Sequence, residues 1–345
     1  MSQIRIAIDA MGGDQGPSMI VPAAVQALTQ HVNLHLILVG DSATLNNLLE
    51  KNPGLNTVKE RLSVHHADQM VMMDESPTVA LRSKRQSSMR LAINLVKEGT
   101  ADACVSAGNT GALMAIARFV LKTLPGIERP AIVYALPAVK GKVYMLDLGA
   151  NAECRPEHLV QFAVMGSILH SCVEKTAEPP RVALLNIGAE PVKGNEVVKQ
   201  AAQQLQQDTS INYIGYVEGD DIYLGTADVV VCDGFVGNVA LKTSEGLSKM
   251  ILHFAKKAFM RNWYTKFVAL LAAPILKSLN KRFDPGQYNG ANFLGLKGTV
   301  IKSHGNANIP AFIRAIEMAM KEVHKNVPEK IQAQMMISQT MGANA

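Results

Sequence analysis

Aromatic residues make up only 5% of this 345-residue chain, and there are four cysteines. So few rings suit an aliphatic α/β interior better than an aromatic binding groove. Cys104, Cys154, Cys172 and Cys232 contain no Cys-x-x-Cys pair, which argues against a structural zinc site. With no disulfide framework evident, a chain of this length reads as cytosolic. No basic n-region or long apolar h-region precedes the first strand-like run, so no signal peptide is expected. No stretch reaches the roughly 20 uncharged apolar residues that would span a bilayer. The net charge of +5 is too small to argue for nucleic acid. The dinucleotide fingerprint Gly-x-Gly-x-x-Gly and the Gly-Lys-Ser/Thr ending of a Walker A loop are missing. So is a Gly-x-Ser-x-Gly nucleophile elbow. Cys154, beside Arg155, is the nearest thing to a reactive thiol.

Apolar residues are 48% of the chain, enough for a sizeable core. Strand-like and helix-like segments alternate from Ile4–Asp9 onward. Helical patterns follow near 21–31, after Asp41 as an N-cap, from about Pro77 to Glu98, and after Asn109 or Thr110. In the middle, 131–136 and 143–148 are two strands across a Lys140-Gly141-Lys142 turn, a β-hairpin that makes the sheet mixed. Alternation resumes with helix 157–173, strand 182–187, helix 195–206, strand 229–232 and helix 238–258. The spacing predicts a largely parallel, doubly wound α/β sheet. The expected organisation is one domain over 1–327, with 255–283 as a protruding amphipathic element and 328–345 as a polar, partly frayed tail.

Five loops mix glycine with short polar residues: Asp9–Asp14, Ser106–Gly111, Asp147–Asn151, Asp233–Asn238 and Ser303–Asn306. Glycine lets backbone amides approach a ligand. Helix N-termini aim free N–H groups and partial positive charge at anions. In doubly wound sheets ligands bind beyond the carboxyl ends of strands, where the first four loops lie. Several such ends on one face would hold phosphate. Asn109 or Thr110 caps a helix and can face a ligand. Asp147 sits four residues before Asn151 across Gly149. His304 is flanked by Ser303 and Gly305, where an imidazole can move a proton near neutral pH. Arg82, Lys84 and Arg85 could pair with phosphate or an acidic partner, or form a solvated basic face.

Residues 255–283 form a second feature. Phe259, Trp263, Phe267, Leu270, Leu271 and Ile275 recur at helical spacing, widened by Met260, Val268 and Leu279. Lys256, Lys257, Arg261, Lys266, Lys277, Lys281 and Arg282 accompany them without an acidic residue. Pro274 breaks the stretch into two helices. It reads either as a core or dimer contact or as an amphipathic element for anionic membrane or an acidic carrier protein.

Ile6–Asp14, Ser106–Gly111, Leu146–Asn151, Leu185-Asn186-Ile187-Gly188, Cys232–Asn238 and Ser303–Gly305 together resemble the bacterial phosphate acyltransferase family PlsX. The resemblance runs from residue 4 to about 327. Ala189 departs from it, standing where an acidic residue is expected beside Glu190. The resemblance implies a Rossmann-like three-layer α/β/α fold related to phosphotransacetylases and to isocitrate and isopropylmalate dehydrogenases. It implies a homodimer without cofactor or metal. The implied reaction carries a fatty acyl group from acyl-[acyl carrier protein] to inorganic phosphate. The product would feed a membrane glycerol-3-phosphate acyltransferase, so the protein would be cytoplasmic and peripherally membrane-associated. On this chemistry Asn109, Asn151 and Asn238 are candidate oxyanion donors, and His304 and Asp147 candidate proton-transfer or orienting groups. Gly12, Gly13, Asp14, Ser106, Gly108, Thr110, Gly111, Gly149, Gly188, Asp233, Gly234 and Lys84 are the candidate phosphate and substrate set. Arg261, Trp263, Lys266, Phe267 and Leu271 are the membrane or partner set. The alternatives are a metal- and NAD-dependent decarboxylating dehydrogenase on the same fold and a non-enzymatic lipid- or carrier-binding scaffold.

Overall fold

Eleven strands form one sheet in the computed structural model, which describes residues 3–174, 177–283 and 289–342, the side chains of 279–283 and 337–342 excepted. The first half of the chain contributes β1 (Ile4–Asp9), α1 (Pro17–Gln30), β2 (Leu34–Gly40), α2 (Ser42–Glu50) and β3 (Leu62–His66). It continues with α3 (Pro77–Ser83), α4 (Ser88–Lys97), β4 (Ala103–Ser106), α5 (Thr110–Leu121), β5 (Ala131–Pro137) and β6 (Lys142–Leu146). Next come α6 (Pro156–Val173), β7 (Val182–Leu185), α7 (Glu196–Gln207), β8 (Tyr213–Val217), α8 (Asp221–Leu224), β9 (Val229–Val231) and α9 (Gly234–Phe259). The chain closes with α10 (Trp263–Leu271), α11 (Ala273–Phe283), β10 (Ala291–Leu294), β11 (Thr299–Lys302), α12 (Ile309–Lys325) and α13 (Val327–Gly342).

The strand order is β3-β2-β1-β4-β11-β10-β5-β6-β9-β7-β8. Seven pairings are parallel, and the three antiparallel ones join β11, β10, β5 and β6 at the centre. The sheet is therefore two parallel halves running in opposite directions. Register makes them converge. Asn292 pairs with Ile301 and Val133, and Val133 pairs with Leu146. This row brings the carboxyl end of β11 to the carboxyl end of β6, so loops from both halves meet at mid-sheet.

Side-chain alternation builds the layers. Ile6 and Ile8, Leu36 and Leu38, and Val105 face α1 and α12. Val133, Tyr144, Leu146, Val229 and Val231 face α6 and α13. On the opposite face Ala7 and Cys104 lie under α4 and α5, in one apolar cluster with Ile132, Met145 and Val230, against which Ala240 and Leu241 of α9 pack.

Several expectations are corrected. The predicted 77–98 helix is two, because Lys84 leaves helical conformation and Ser87 accepts from Arg90 N (3.3 Å), starting α4 afresh. Helix α9 begins at Gly234, with Asp233 accepting from Val236 N (2.8 Å), so Asn238 lies inside the helix rather than at its start. The pattern missed β8, β10 and β11, which are short and interrupted by glycine or polar residues. The segment beyond Pro328 belongs to α13, whose Ile331 and Met335 are buried against α6. The Pro274 break holds, with α10 ending at Leu271 and α11 starting at Ala273.

Candidate active site

The converging loops enclose a cavity of about 480 Å³. Thr110 and Gly111 of α5, Gly149 and Ala150 after β6, Asn238 and Lys242 of α9, Lys302 at the end of β11, and Ser303 and His304 after it line it. Arg118 and Tyr134 complete its polar wall, while Met114, Ile132, Leu148 and Leu241 supply apolar surface. Arg118, Lys242 and Lys302 make the wall cationic.

Lys302 is 8% exposed, and its Nζ donates to the carbonyls of Ala107 (3.3 Å) and Ser303. Burial pushes its ammonium down to about 8, against the pull of Asp9 and Asp14 and with the push of Lys242. His304 is held by its backbone N–H on Asn289 Oδ1 (2.9 Å), and its Nε2 lies 3.4 Å from the Tyr134 hydroxyl. Burial, then Lys302, Lys242 and Lys249, hold the imidazole below its usual value, against the nearby Glu245. It is neutral at neutral pH.

The first two glycine loops are welded together by Asp9. This buried carboxylate accepts from Ser88 Oγ (2.6 Å) and Ser106 Oγ (2.7 Å), and Gly108 N donates to Ser106 Oγ (3.0 Å). Burial raises the Asp9 carboxyl, and the two hydroxyls partly offset this. Asp14 N donates to Gly305 O (2.8 Å). Gly13, at φ 89°, sits where a Cβ would come within 2.9 Å of Ala107 Cβ. Gly12, Gly13, Asp14, Ser106 and Gly108 therefore support the cavity from behind and are absent from its lining.

Other candidates change role. Asn109 caps α5 by accepting from Ala112 N (3.0 Å), and its amide N–H groups donate to Met73 O (2.8 Å) and Glu75 O (2.9 Å). Asn151 donates its side-chain N–H groups to Pro130 O (2.8 Å) and Asp147 Oδ2 (2.9 Å). Neither has a donor left for an oxyanion. Asp147 is fully buried and also accepts from Ile132 N (2.9 Å), Ala150 N (3.1 Å) and Asn151 N (2.7 Å). It organises the Gly149 loop instead of facing the cavity. Gly234 N donates to Asn151 O (2.8 Å), so this glycine also packs behind the wall. Asp233 lines a separate cavity of about 380 Å³ with Asn186, Ile187 and Val236, and Gly188 packs against Lys193 and Glu190. Lys84 pairs with Glu75 at 3.9 Å. Cys154 is pushed up to about 11 by burial and nearby carboxylates, so it holds its proton.

Of the predicted set, Thr110, Gly111, Gly149, Asn238 and His304 come together. Sequence reasoning missed Lys302, Tyr134 and Arg118. A lysine closing an apolar strand directly before Ser303-His304 was the available signal. Tyr134 and Arg118 carried none, since a strand tyrosine and a last-turn helix arginine are ordinary features.

This architecture and cationic cavity define a class. A phosphotransacetylase from Streptococcus pyogenes has the same fold at a TM-score of 0.65 and 17% identity, covering 94% of each chain. A 4-hydroxythreonine-4-phosphate dehydrogenase from Klebsiella pneumoniae reaches 0.51 at 15% identity, covering 94% of this chain and 98% of that one. At such identities the likeness is one of fold. Sequence then gives the particular family. The model of the family described as fatty acid synthesis protein matches residues 4–330. A phosphate acyltransferase from Nitrosococcus oceani is 57% identical over 96% of both chains. One from Halorhodospira halophila is 55% identical over 99% of this chain and 98% of that one. The chain belongs to this fatty acid synthesis family and is an acyltransferase. That decides against the dehydrogenase and scaffold alternatives.

Proposed function

We propose that the protein transfers a fatty acyl group from acyl-[acyl carrier protein] to inorganic phosphate. An acyl phosphate and the free carrier thiol leave. The observation that carries the reading is the full-length match to phosphate acyltransferases. The cavity's chemistry agrees with it. Thr110 and Gly111 open α5, where N–H groups have no intrahelical acceptor, beside the ammonium of Lys302. The pair forms an anion cradle.

In this mechanism phosphate is the nucleophile, and the enzyme works by proximity and charge. A phosphate oxygen attacks the thioester carbonyl carbon, the C–S bond breaks and the sulfur leaves as thiolate. Neutral His304 takes the phosphate proton and returns it to the sulfur. Asn238 lines the cavity and makes no side-chain hydrogen bond among the described residues, so its amide can donate to the oxyanion. Thiol release by purified protein should require phosphate, and arsenate should substitute for it through an unstable acyl arsenate. Release unaffected by omitting both would leave a thioesterase.

A membrane-proximal role is a second part of the proposal. Acyl phosphate is greasy, and the proposed consumer is a membrane glycerol-3-phosphate acyltransferase. Trp263 (82% exposed), Phe267, Leu270, Leu271 and Ile275 lie bare on α10 and α11, with Arg261 and Lys266 exposed beside them. The side chains of Leu279, Lys281 and Arg282 lie outside the described residues. Among the described residues no helix is long and apolar enough to cross a membrane. Peripheral docking on an anionic leaflet fits, at about 1 kcal/mol per basic residue. The Phe267→Glu/Leu271→Glu double variant should lose most co-sedimentation with anionic liposomes and stay dimeric. Equal sedimentation refutes the membrane role. Loss of the dimer assigns these residues to a subunit interface.

A further inference from the structure

A fatty acyl donor needs an apolar berth beside the thioester, and the cavity's apolar lining is interrupted by Arg118, Lys242 and Lys302. An ammonium or guanidinium pressed against methylenes would lose hydration without return. The loop 67–76, between β3 and α3, neighbours residues that line the cavity and presents the apolar run Met70-Val71-Met72-Met73. Met72 and Met73 are 49% and 44% exposed, while Val71 between them and Met70 is buried. The backbone beneath these methionines is fixed. Asn109 donates to Met73 O and Glu75 O, the Glu75 carboxylate accepts from Met72 N (3.1 Å), and Ser88 N donates to Gln69 O (2.9 Å). The loop is thus tied to the cap of α5, whose Thr110 and Gly111 line the cavity. On its other side the Met73 methyl abuts Gly305, lying 2.9 Å from where a Cβ would stand there, directly after His304. Pro77, where the loop enters α3, packs on Gly111 in the same way. The loop therefore spans the gap between the two glycine loops that carry the anion-facing groups.

Resting on acyl transfer as the reaction, we infer that Met72 and Met73 form the subsite for the first methylenes of the donor's fatty acyl chain. Methionine suits that task. It is unbranched and polarizable, and it adapts to a flexible apolar ligand without leaving a void. A rigid backbone with adaptable side chains fixes where the chain enters and tolerates variation in its length. Asn109 then acts as a positioning residue, its amide holding the methionine loop against the helix that opens onto phosphate.

The test compares Met72→Gln and Met73→Gln, close to methionine in shape but polar, with the wild type. The readout is kcat/KM for a sixteen-carbon donor against a two-carbon donor, with phosphate KM measured alongside. The sixteen-carbon value should fall about tenfold, the worth of roughly two methylenes no longer buried. The two-carbon value should fall less than threefold, and phosphate KM should hold. A sixteen-carbon donor with a diazirine close to the thioester should crosslink to 70–76 in the folded wild type. Equal losses for both donors, or crosslinks confined to the Ile187–Val236 cavity, overturn the subsite. Wild-type thiol release that ignores phosphate would instead overturn the underlying reaction.

Discussion

Replacing Lys302 by Met is expected to lower kcat/KM for phosphate by about 10²–10³, the order expected when one partner of a buried, hydrogen-bonded charge pair is removed at about 2–5 kcal/mol. Lys302 is the buried cation of the cavity, tethered by two carbonyls, with its ammonium aimed between the glycine loops. Its lowered value of about 8 sets the sign of the pH dependence. The charge is full below that value and lost as pH rises through it, so wild-type kcat/KM for phosphate should decline above about pH 8. Lys302→Arg keeps its charge and should move the alkaline limb beyond about pH 9.5, even if misplacement lowers the maximum. The acid limb belongs to His304, whose imidazole is held below its usual value and becomes cationic only on acidification. His304→Gln should remove that limb. An alkaline decline unchanged in Lys302→Arg, or wild-type kcat/KM in folded Lys302→Met, would refute Lys302 as the phosphate-facing cation.

The second large effect is on stability. Asp147→Ala removes the acceptor of four N–H groups, from Ile132, Ala150 and both nitrogens of Asn151. Each buried donor left unpaired costs about 1–3 kcal/mol, and water entering the opened loop recovers part of it. A net loss of about 3–5 kcal/mol is expected as a lower urea midpoint. Asp147→Asn should also destabilise, because its amide N–H₂ would face the donors of Asn151. Lost activity should follow lost folding, without a displaced pH optimum. A variant as stable as wild type but with an altered acid limb would return Asp147 to a proton-transfer role.

These two residues show what the sequence could reveal. Asp147 was visible because an acidic residue at a strand end before Gly-Ala-Asn breaks the apolar pattern, yet its partners are set by tertiary contact. Its two oxygens face backbone from β5 and its own loop, which no spacing encodes. Asn109 was read as cap or ligand group, and the cap won because Met73 and Glu75 take its amide. Lys302 was passed over because β11 is four residues long and did not register as a strand. The parallel halves were legible from strand–helix alternation, and the hairpin from its turn. Their opposed directions depend on β10, which pairs antiparallel on both sides and has no sequence signature. The glycine loops marked segments that converge on the cavity. Which glycines face the cavity and which only let loops touch depends on packing, as at Gly237, where a Cβ would overlap the Asp147 carbonyl.

The central position of β10 and β11 has a consequence for biosynthesis. Among the described strands they are translated after the other nine, and they bridge β4 on one side and β5 on the other. Until the ribosome has passed Lys302, the nascent chain carries two half-sheets, each with a long-lived open edge at what becomes the middle of the molecule. Such edges are templates for mispairing, so emerging chains need shielding until β10 and β11 are made. Lys302 and His304 arrive with the same segment. Chains terminated before it lack both groups and are expected to be inactive on the proposed mechanism.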